Sequence, residues 1–482
     1  MGIRRFSILA LVLMGTQMCA AQDQPAQSNP AQNPPAQTQD TERSTPAPAL
    51  TGLAGIDTPT AEGDSSDALP QIPALLGGRG NSLAFPSEQQ RSNYLRGGLN
   101  VGAAYDDNAL LAPGGGVGNM TYSVFPNIAI EQTLPRIRWS LGYAAGLTVN
   151  QRLSNNNQGS HDLAFESQFR LSPHVNLRVA EDFLMTSGIF DSGTGAGVQP
   201  GAGGPNTGLL TPLASRRSSV TVVETNYHFA LNDVVGASGS FYDLHYRDAP
   251  KGTQTLVDTR TASGSAFWFH RLFQQDWAGL SYGFERLTFD PDGETRVHSF
   301  MVVNTLSFAS KFTISAFIGP QYSDNHGVIA VGPGAGQDSQ FSDWSVAGGV
   351  EGAWQSKRTG LAAGYSKRVN DGGGVLGAVR LQNVHANFRR ELFPGWSAAF
   401  GVGHGSNRSL TVPVAGTATS IDTTSISASL ERSIGRSLGL RMGYSHDFQN
   451  QSGSGDPAQN FDAHRNRFFV TLSYQWAKPL GR

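Results

Sequence analysis

The stretch Asn466–Trp476, which reads NRFFVTLSYQW, decides the fold of this chain. Successive side chains of a β-strand point to opposite faces, so a period of two separates the faces. One face carries Phe468, Val470, Leu472, Tyr474 and Trp476, and the other carries Arg467, Thr471, Ser473 and Gln475, with Phe469 as the exception. A strand that crosses a bilayer needs about 9–11 residues, with aromatic residues at the interface. The stretch therefore predicts the closing strand of a transmembrane β-barrel.

Composition agrees with a barrel whose apolar residues are diluted by alternation. The chain has 482 residues, 39% of them hydrophobic, and a formal net charge of -2. This charge balance includes no excess of positive charge that would attract nucleic acid, so nucleic acid is not an expected partner. An apolar run of about 18 residues, the length of a membrane-spanning helix, does not occur beyond the first twenty residues.

Residues 1–21 have the pattern of a secretory signal peptide. Arg4 and Arg5 form the charged region, Phe6–Met14 forms the apolar region, and small residues at positions 20 and 21 allow cleavage before Gln22. Cys19 is the only cysteine, and the alternative interpretation is a lipid anchor at this residue. Cleavage after Ala21 removes it and excludes disulfides, cysteine-ligated metals and a cysteine nucleophile from the mature chain.

Residues 22–91 differ in composition from everything that follows. Gln22–Pro48 consists almost entirely of Pro, Gln, Ala, Ser, Thr and Asn, and Thr51–Pro86 adds a few Leu and Ile among Gly and Pro. Such a segment buries too little apolar surface to offset the entropy of ordering, so we predict a disordered periplasmic tether. A short plug and a docking segment for a periplasmic partner are the alternatives.

Residues 92–482 are predicted to form the barrel. From Tyr94 onward, strands of about a dozen residues are joined by connections that alternate between short and long. The pattern predicts about 18 antiparallel strands in an all-β, up-and-down barrel, or 16 or 20 if a hairpin is missed or split. An even number puts both chain ends on the same side, and the short turns share that side with the C-terminus, as in barrels with short periplasmic turns and longer extracellular loops.

Tryptophan placement supports a bilayer, whereas two strands fit the alternation poorly. Six tryptophans near short turns or the C-terminus predict a periplasmic aromatic girdle: Trp139, Trp268, Trp277, Trp354, Trp396 and Trp476. The parity of Val379 and Leu381 differs from that of Val384 and Phe388, which predicts a bulge or a misplaced boundary. Asn304 falls on the lipid-facing side of its strand.

With its signal peptide, alternating strands and aromatic last strand Phe468–Trp476, the chain resembles Gram-negative outer-membrane β-barrel proteins of the porin-like or uncharacterised kind. The resemblance covers Tyr94–Trp476 and implies a place in the bacterial cell outer membrane. It also implies contact with outer-membrane lipid and with the barrel insertion machinery. Such barrels often end on the aromatic residue itself, whereas here Ala477–Arg482 follows it.

The sequence contains no motif that indicates catalysis, a metal or a cofactor. Gly405–Ser409 is not a nucleophile elbow, the run Asp290–Glu294 lacks the downstream ligands of a calcium loop, and the histidines are scattered. We therefore expect no catalytic residues, no metal site, no cofactor and no enzymatic activity.

Charged residues on the polar strand faces are the candidate functional residues. If the parity holds, these pore-lining candidates point inward: Glu166, Arg170, Arg178, Asp182, Glu285, Glu351, Arg441, Asp447 and Arg467. Charges are tolerated in a wet lumen, whereas Arg or Lys on the lipid face costs about 2–4 kcal/mol near the midplane. They either set a transverse field that selects solutes or brace the wall as ion pairs.

These patterns favour a porin-like channel for small hydrophilic solutes, with loop Gly188–Ala214 as its candidate constriction or cap. The alternative is a barrel that serves as an anchor, or as an export or assembly component, whose tether binds a periplasmic partner. An outer-membrane hydrolase is the weakest hypothesis because a nucleophile and base pair is missing. A soluble, secreted all-β protein is the structural rival.

Overall fold

The fold was analysed in a computed structural model of the whole chain. The structure describes residues 93–112, 116–154, 157–186, 214–247, 256–273, 275–290, 293–308, 311–328, 338–356, 358–372, 377–410, 420–435, 437–452 and 461–480. The predicted signal peptide, the tether and nearly all of loop Gly188–Ala214 lie outside these residues. Their assignments stay predictions.

Eighteen strands make up the described part of the chain. The first nine are β1 Tyr94–Asp106, β2 Asn119–Thr133, β3 Ile137–Asn150, β4 Gln158–Arg170, β5 Val175–Thr186, β6 Ser215–Ala230, β7 Asp233–Arg247, β8 Thr259–Phe273 and β9 Asp276–Phe289. The second nine are β10 Gly293–Phe308, β11 Phe312–Val328, β12 Asp338–Gln355, β13 Thr359–Asn370, β14 Val379–Phe393, β15 Trp396–Ser409, β16 Ser420–Ile434, β17 Leu438–Ser452 and β18 Phe461–Pro479.

The strands form one closed antiparallel sheet. Each strand pairs with its neighbours in sequence, and β1 also pairs with β18, from Tyr94↔Pro479 to Asp106↔Arg467. Closure removes the unpaired edges that an open sheet presents. The predicted fold class, the strand number of 18 and the role of the last strand in closing the barrel are confirmed. Among the described residues, no helix is long and apolar enough to span a membrane.

The two faces of the barrel differ in polarity. The outer face exposes large apolar side chains along the strands, among them Leu147, Phe300 and Val470, which are 56%, 55% and 49% exposed. The inner face holds polar side chains such as Thr121 and Gln449, which are fully buried. Water-soluble monomers rarely expose continuous apolar patches of more than a few hundred Å². The outer face is therefore suited to lipid, which argues against the soluble all-β rival.

The tryptophan girdle is present at the short-turn end, the end of the barrel that carries the short turns and the C-terminus, but with one correction. Trp268, Trp354 and Trp476 are exposed on the outer face. Trp277 instead shares the inner face of β9 with Glu285 and packs against an apolar cluster inside the barrel. At this position, the strand register, and not the proximity to a turn, determines which face the tryptophan side chain occupies.

Both poorly fitting strands have a structural explanation. The predicted irregularity within Val379–Phe388 is wrong: β14 keeps a continuous register with β13 from Val379 to Arg390, and its bulge lies later, between Glu391 and Phe393. Val379 and Leu381 are apolar because they are buried on the inner face. Asn304 does face outward, and its side chain donates hydrogen bonds to Asp276 Oδ1 at 2.7 Å and to the Trp277 carbonyl at 3.3 Å.

Candidate functional site

The inner wall carries the candidate site. The strand registers place all nine predicted charged residues on the inner face: Glu166, Arg170, Arg178, Asp182, Glu285, Glu351, Arg441, Asp447 and Arg467. Three regions of this wall differ in chemistry, and the nine residues divide among them unevenly. A role for them in lining a pore stays a prediction.

The first region, on β17, β18 and β1, consists of buried ion pairs. Arg467 donates to Asp447 at 2.7 Å, with 10% and 5% of the two side chains exposed. Arg465, which sequence reasoning did not single out, donates to Asp106 at 2.7 Å, and this pair is equally buried. Such pairs join neighbouring strands where the barrel closes. Here the arrangement favours the wall-bracing interpretation of the inward charges.

The β1–β2 connection covers these ion pairs from the long-loop end, the end opposite the short turns. The Asn108 backbone N–H donates to Asp106 Oδ1 at 3.0 Å, and the Asn108 side chain donates to the His464 carbonyl at 2.9 Å. Leu111 adopts a left-handed backbone with a φ of 52° and packs against Ala463. The described part of this connection therefore lies against the inner wall.

The second region, on β3 to β6, is basic. Arg138, Gln168 and Arg178 lie opposite one another on three successive strands, and Arg178 lies opposite Glu224 on the next. Arg178 donates to Glu166 at 2.8 Å. Glu166 also accepts a hydrogen bond from Gln168 at 3.0 Å. These side chains form a polar network at the short-turn end of the inner wall.

A cavity of about 220 Å³ lies beside this network, against the β2–β3 turn. Its polar lining comes mainly from four arginines and two asparagines: Arg136, Arg138, Arg170, Arg178, Asn176 and Asn226. The sequence pointed to Arg170 and Arg178, but not to Arg136 in the β2–β3 turn or to Arg138 at the start of β3. The lateral registers that bring these side chains together are not visible in the sequence.

The third region, on β8 to β12, is apolar, which sequence reasoning missed. Buried side chains of the inner face form one cluster: Phe267, Phe269, Met301, Val303, Phe317 and Ala347. Glycine on a neighbouring strand makes room for two of these rings, because a Cβ on Gly349 would lie 2.4 Å from the Phe317 ring and one on Gly279 would lie 2.4 Å from Phe269. The inner wall is therefore apolar on this side of the barrel.

The end of β13 leaves the barrel wall. β12 pairs with β13 over only eight residues, from Gly348↔Lys367 to Gln355↔Gly360, against seventeen between β11 and β12. Beyond Lys367, Val369 is buried in a cluster with Leu287, Val297, Ala378 and Leu410. Leu287 and Val297 belong to the inner face of β9 and β10. The end of β13 and the start of β14 therefore fold inward and cover the inner wall.

Polar contacts hold this inward fold. Arg380 of β14 forms an ion pair with Asp343 on the inner face of β12, although β13 separates the two strands in the sheet order. The Val369 backbone N–H donates to Gln321 Oε1 of β11 at 3.1 Å. We name the described residues 368–372 and 377–381 the inner tip. It occupies space inside the barrel at the long-loop end.

The constriction was predicted at Gly188–Ala214, and that loop is described only at its last residue. Ala214 packs with Val220, Tyr242, Leu244 and Tyr246 on the inner side of β6 and β7. The inner tip is an additional narrowing element, and its one sequence signal was the inconsistent parity of Val379 and Leu381. Among the described residues, no group of three or more His, Cys, Asp or Glu side chains is placed to hold a metal ion.

Comparison with known proteins gives only distant structural matches. No family model matches the chain, and no curated protein matches it. The solved structures that match include the outer membrane protein OpdK of Pseudomonas aeruginosa, with a TM-score of 0.40, 10% identity, and coverage of 79% of this chain and 99% of OpdK. OccAB3 of Acinetobacter baumannii matches with a TM-score of 0.40, 9% identity, and coverage of 80% and 99%.

Proposed function

We propose that this chain lies in the bacterial outer membrane and forms a porin-like channel for small hydrophilic solutes. The observation that carries the proposal is the segregation of the two faces on a closed 18-stranded sheet. Apolar side chains contact lipid on the outside, whereas charged and hydroxyl side chains line the inside except at the apolar region on β8 to β12. Barrels with eight strands fill their interior with side chains, whereas 16–18 strands leave room for an aqueous channel.

The inner wall gives such a channel uneven electrostatics. The basic region on β3 to β6 faces the lumen near the short turns, and the ion pairs of β17, β18 and β1 are locally neutral. A field across the lumen orients and selects charged solutes. The inner tip limits the open cross-section at the long-loop end. The proposed activity is therefore selective passage of solutes, with the protein acting as a transporter rather than as an enzyme.

Planar-bilayer recording tests this proposal. The full-length protein is purified in detergent, and its folding is checked first by heat modifiability, since a closed barrel runs differently on a gel before and after boiling. Discrete conductance steps are expected when folded protein is added to the bilayer. A folded, heat-modifiable protein that inserts into vesicles but never conducts would contradict the channel. Hydrolysis of esters or lipids by such a protein would favour an enzyme instead.

A further inference from the structure

The cavity beside the β2–β3 turn is lined by more positive charge than its neighbours balance. Among the described residues, the guanidinium groups of Arg136, Arg138 and Arg170 form no hydrogen bond or ion pair. Arg178 is the fourth arginine of the lining, and it is paired with Glu166 at 2.8 Å. Arginine residues that line one concave surface and lack a direct ion pair are suited to an anionic ligand.

The strand registers show why these side chains converge. Arg138 and Arg178 lie on either side of Gln168, so their backbones are about 10 Å apart, given a spacing of about 4.8 Å between neighbouring strands. Arg170 lies two residues further along β4, toward the short turn, and its backbone N–H donates to the Arg136 carbonyl at 2.7 Å. Three strands and one turn thus bring these four arginines to the lining of one cavity.

The nearby acids leave part of this charge uncompensated. Glu166 interacts with Arg178 and also acts electrostatically on Arg138. Glu224 lies opposite Arg178 and accepts a hydrogen bond from Asn226 at 3.0 Å. Four arginines against these two carboxylates leave a surplus of two positive charges around the cavity.

We propose that this cavity binds a small organic dianion through Arg136, Arg138 and Arg170. The proposal names a solute class for the channel and rests on that proposed function, although binding itself requires only the folded barrel. A carboxylate accepts two parallel N–H···O bonds from one guanidinium, and such charge-assisted bonds are stronger than neutral ones. The volume of about 220 Å³ is below the roughly 300–1,000 Å³ of pockets for drug-sized ligands, which favours a compact molecule such as a four-carbon dicarboxylate.

Calorimetric titration of the full-length protein in detergent with succinate, at low ionic strength, tests the proposal. Succinamide has the same carbon skeleton without charge and is the matched control ligand. Succinate is expected to bind and succinamide to show no detectable binding. Arg138→Gln and Arg170→Gln are each expected to weaken succinate binding about tenfold or more, because each removes a charge-assisted donor.

Arg389→Gln is the control variant, because Arg389 lies on the inner face of β14, also near the short turns but away from the cavity. It is expected to leave succinate binding unchanged. Absence of succinate binding to the heat-modifiable wild-type protein would overturn the proposal, and so would equal losses in Arg389→Gln and Arg138→Gln. Succinate binding without conductance would contradict the channel function and support this site. Conductance without succinate binding would contradict this site and support the channel function.

Discussion

The backbone N–H of Val369 on β13 donates a hydrogen bond to the side chain of Gln321 on β11, at 3.1 Å, although β12 lies between these strands in the sheet. A backbone N–H within a wall strand would normally bond to the neighbouring strand. Here the ladder between β12 and β13 stops at Gly348↔Lys367. The amide of Gln321 therefore substitutes for the lost ladder partner, which keeps a buried backbone donor satisfied where the chain turns into the barrel.

Loosening the inner tip should widen the conducting path. Arg380→Gln removes the ion pair with Asp343 that ties β14 to the inner face of β12. We expect a higher single-channel conductance, or more frequent steps to a higher level, in planar-bilayer recordings. Arg408→Gln is the matched control, since Arg408 lies directly opposite Arg380 on β15 and has no ion pair with Asp343. An unchanged or lower conductance in Arg380→Gln would show that the tip does not limit the path.

The apolar inner cluster should contribute to stability in a way that the outer face does not. Phe317 is buried in the cluster, whereas Phe300 points outward and is 55% exposed. Phe317→Ala should lower the free energy of unfolding by about 3–5 kcal/mol, the usual cost of truncating a packed phenylalanine. Phe300→Ala should cost clearly less. Urea unfolding in lipid vesicles measures both, and equal losses would mean that the cluster does not behave as a packed core.

The buried pair Arg467–Asp447 should depend on both partners. Asp447→Asn leaves a buried guanidinium without its counter-charge, so we expect a loss of about 3–5 kcal/mol in unfolding free energy. The double variant Asp447→Asn with Arg467→Gln should lose less than the sum of the two single variants. A double-mutant cycle by urea unfolding measures this coupling. Strict additivity would mean that the pair does not brace β17 against β18.

Alternation and connection lengths were enough to predict the barrel, its 18 strands and the inward face of all nine candidate charges. The side chains along one strand are fixed by its period of two, and that information is local. The strand Leu438–Ser452 illustrates this, because Arg441 and Asp447 both face inward as its period requires.

Contacts between side chains on different strands were not predictable in the same way. Arg136 and Arg138 join Arg170 and Arg178 only through the lateral register, which no single strand encodes. The inner tip likewise depends on a ladder that stops early, and Trp277 faces inward despite its position beside a turn. Side-chain parity predicts which face a residue occupies, but it does not predict where a strand leaves the wall.

The assignment of the outer face to lipid gives the last prediction, which compares two positions on β10. Val302 points outward and is 55% exposed. Ser299 points inward and lies opposite Gly283 on β9, two residues along that strand from Glu285. Val302→Arg places a guanidinium in the apolar belt and should cost about 2–4 kcal/mol if it lies near the bilayer midplane. Ser299→Arg places the same group inside, near a carboxylate, and should be tolerated. The yield of heat-modifiable protein after refolding into vesicles, and the urea midpoint, compare the two variants. The reverse order of stability would mean that the faces are assigned the wrong way round, because only a lipid-facing arginine lacks both water and a counter-charge.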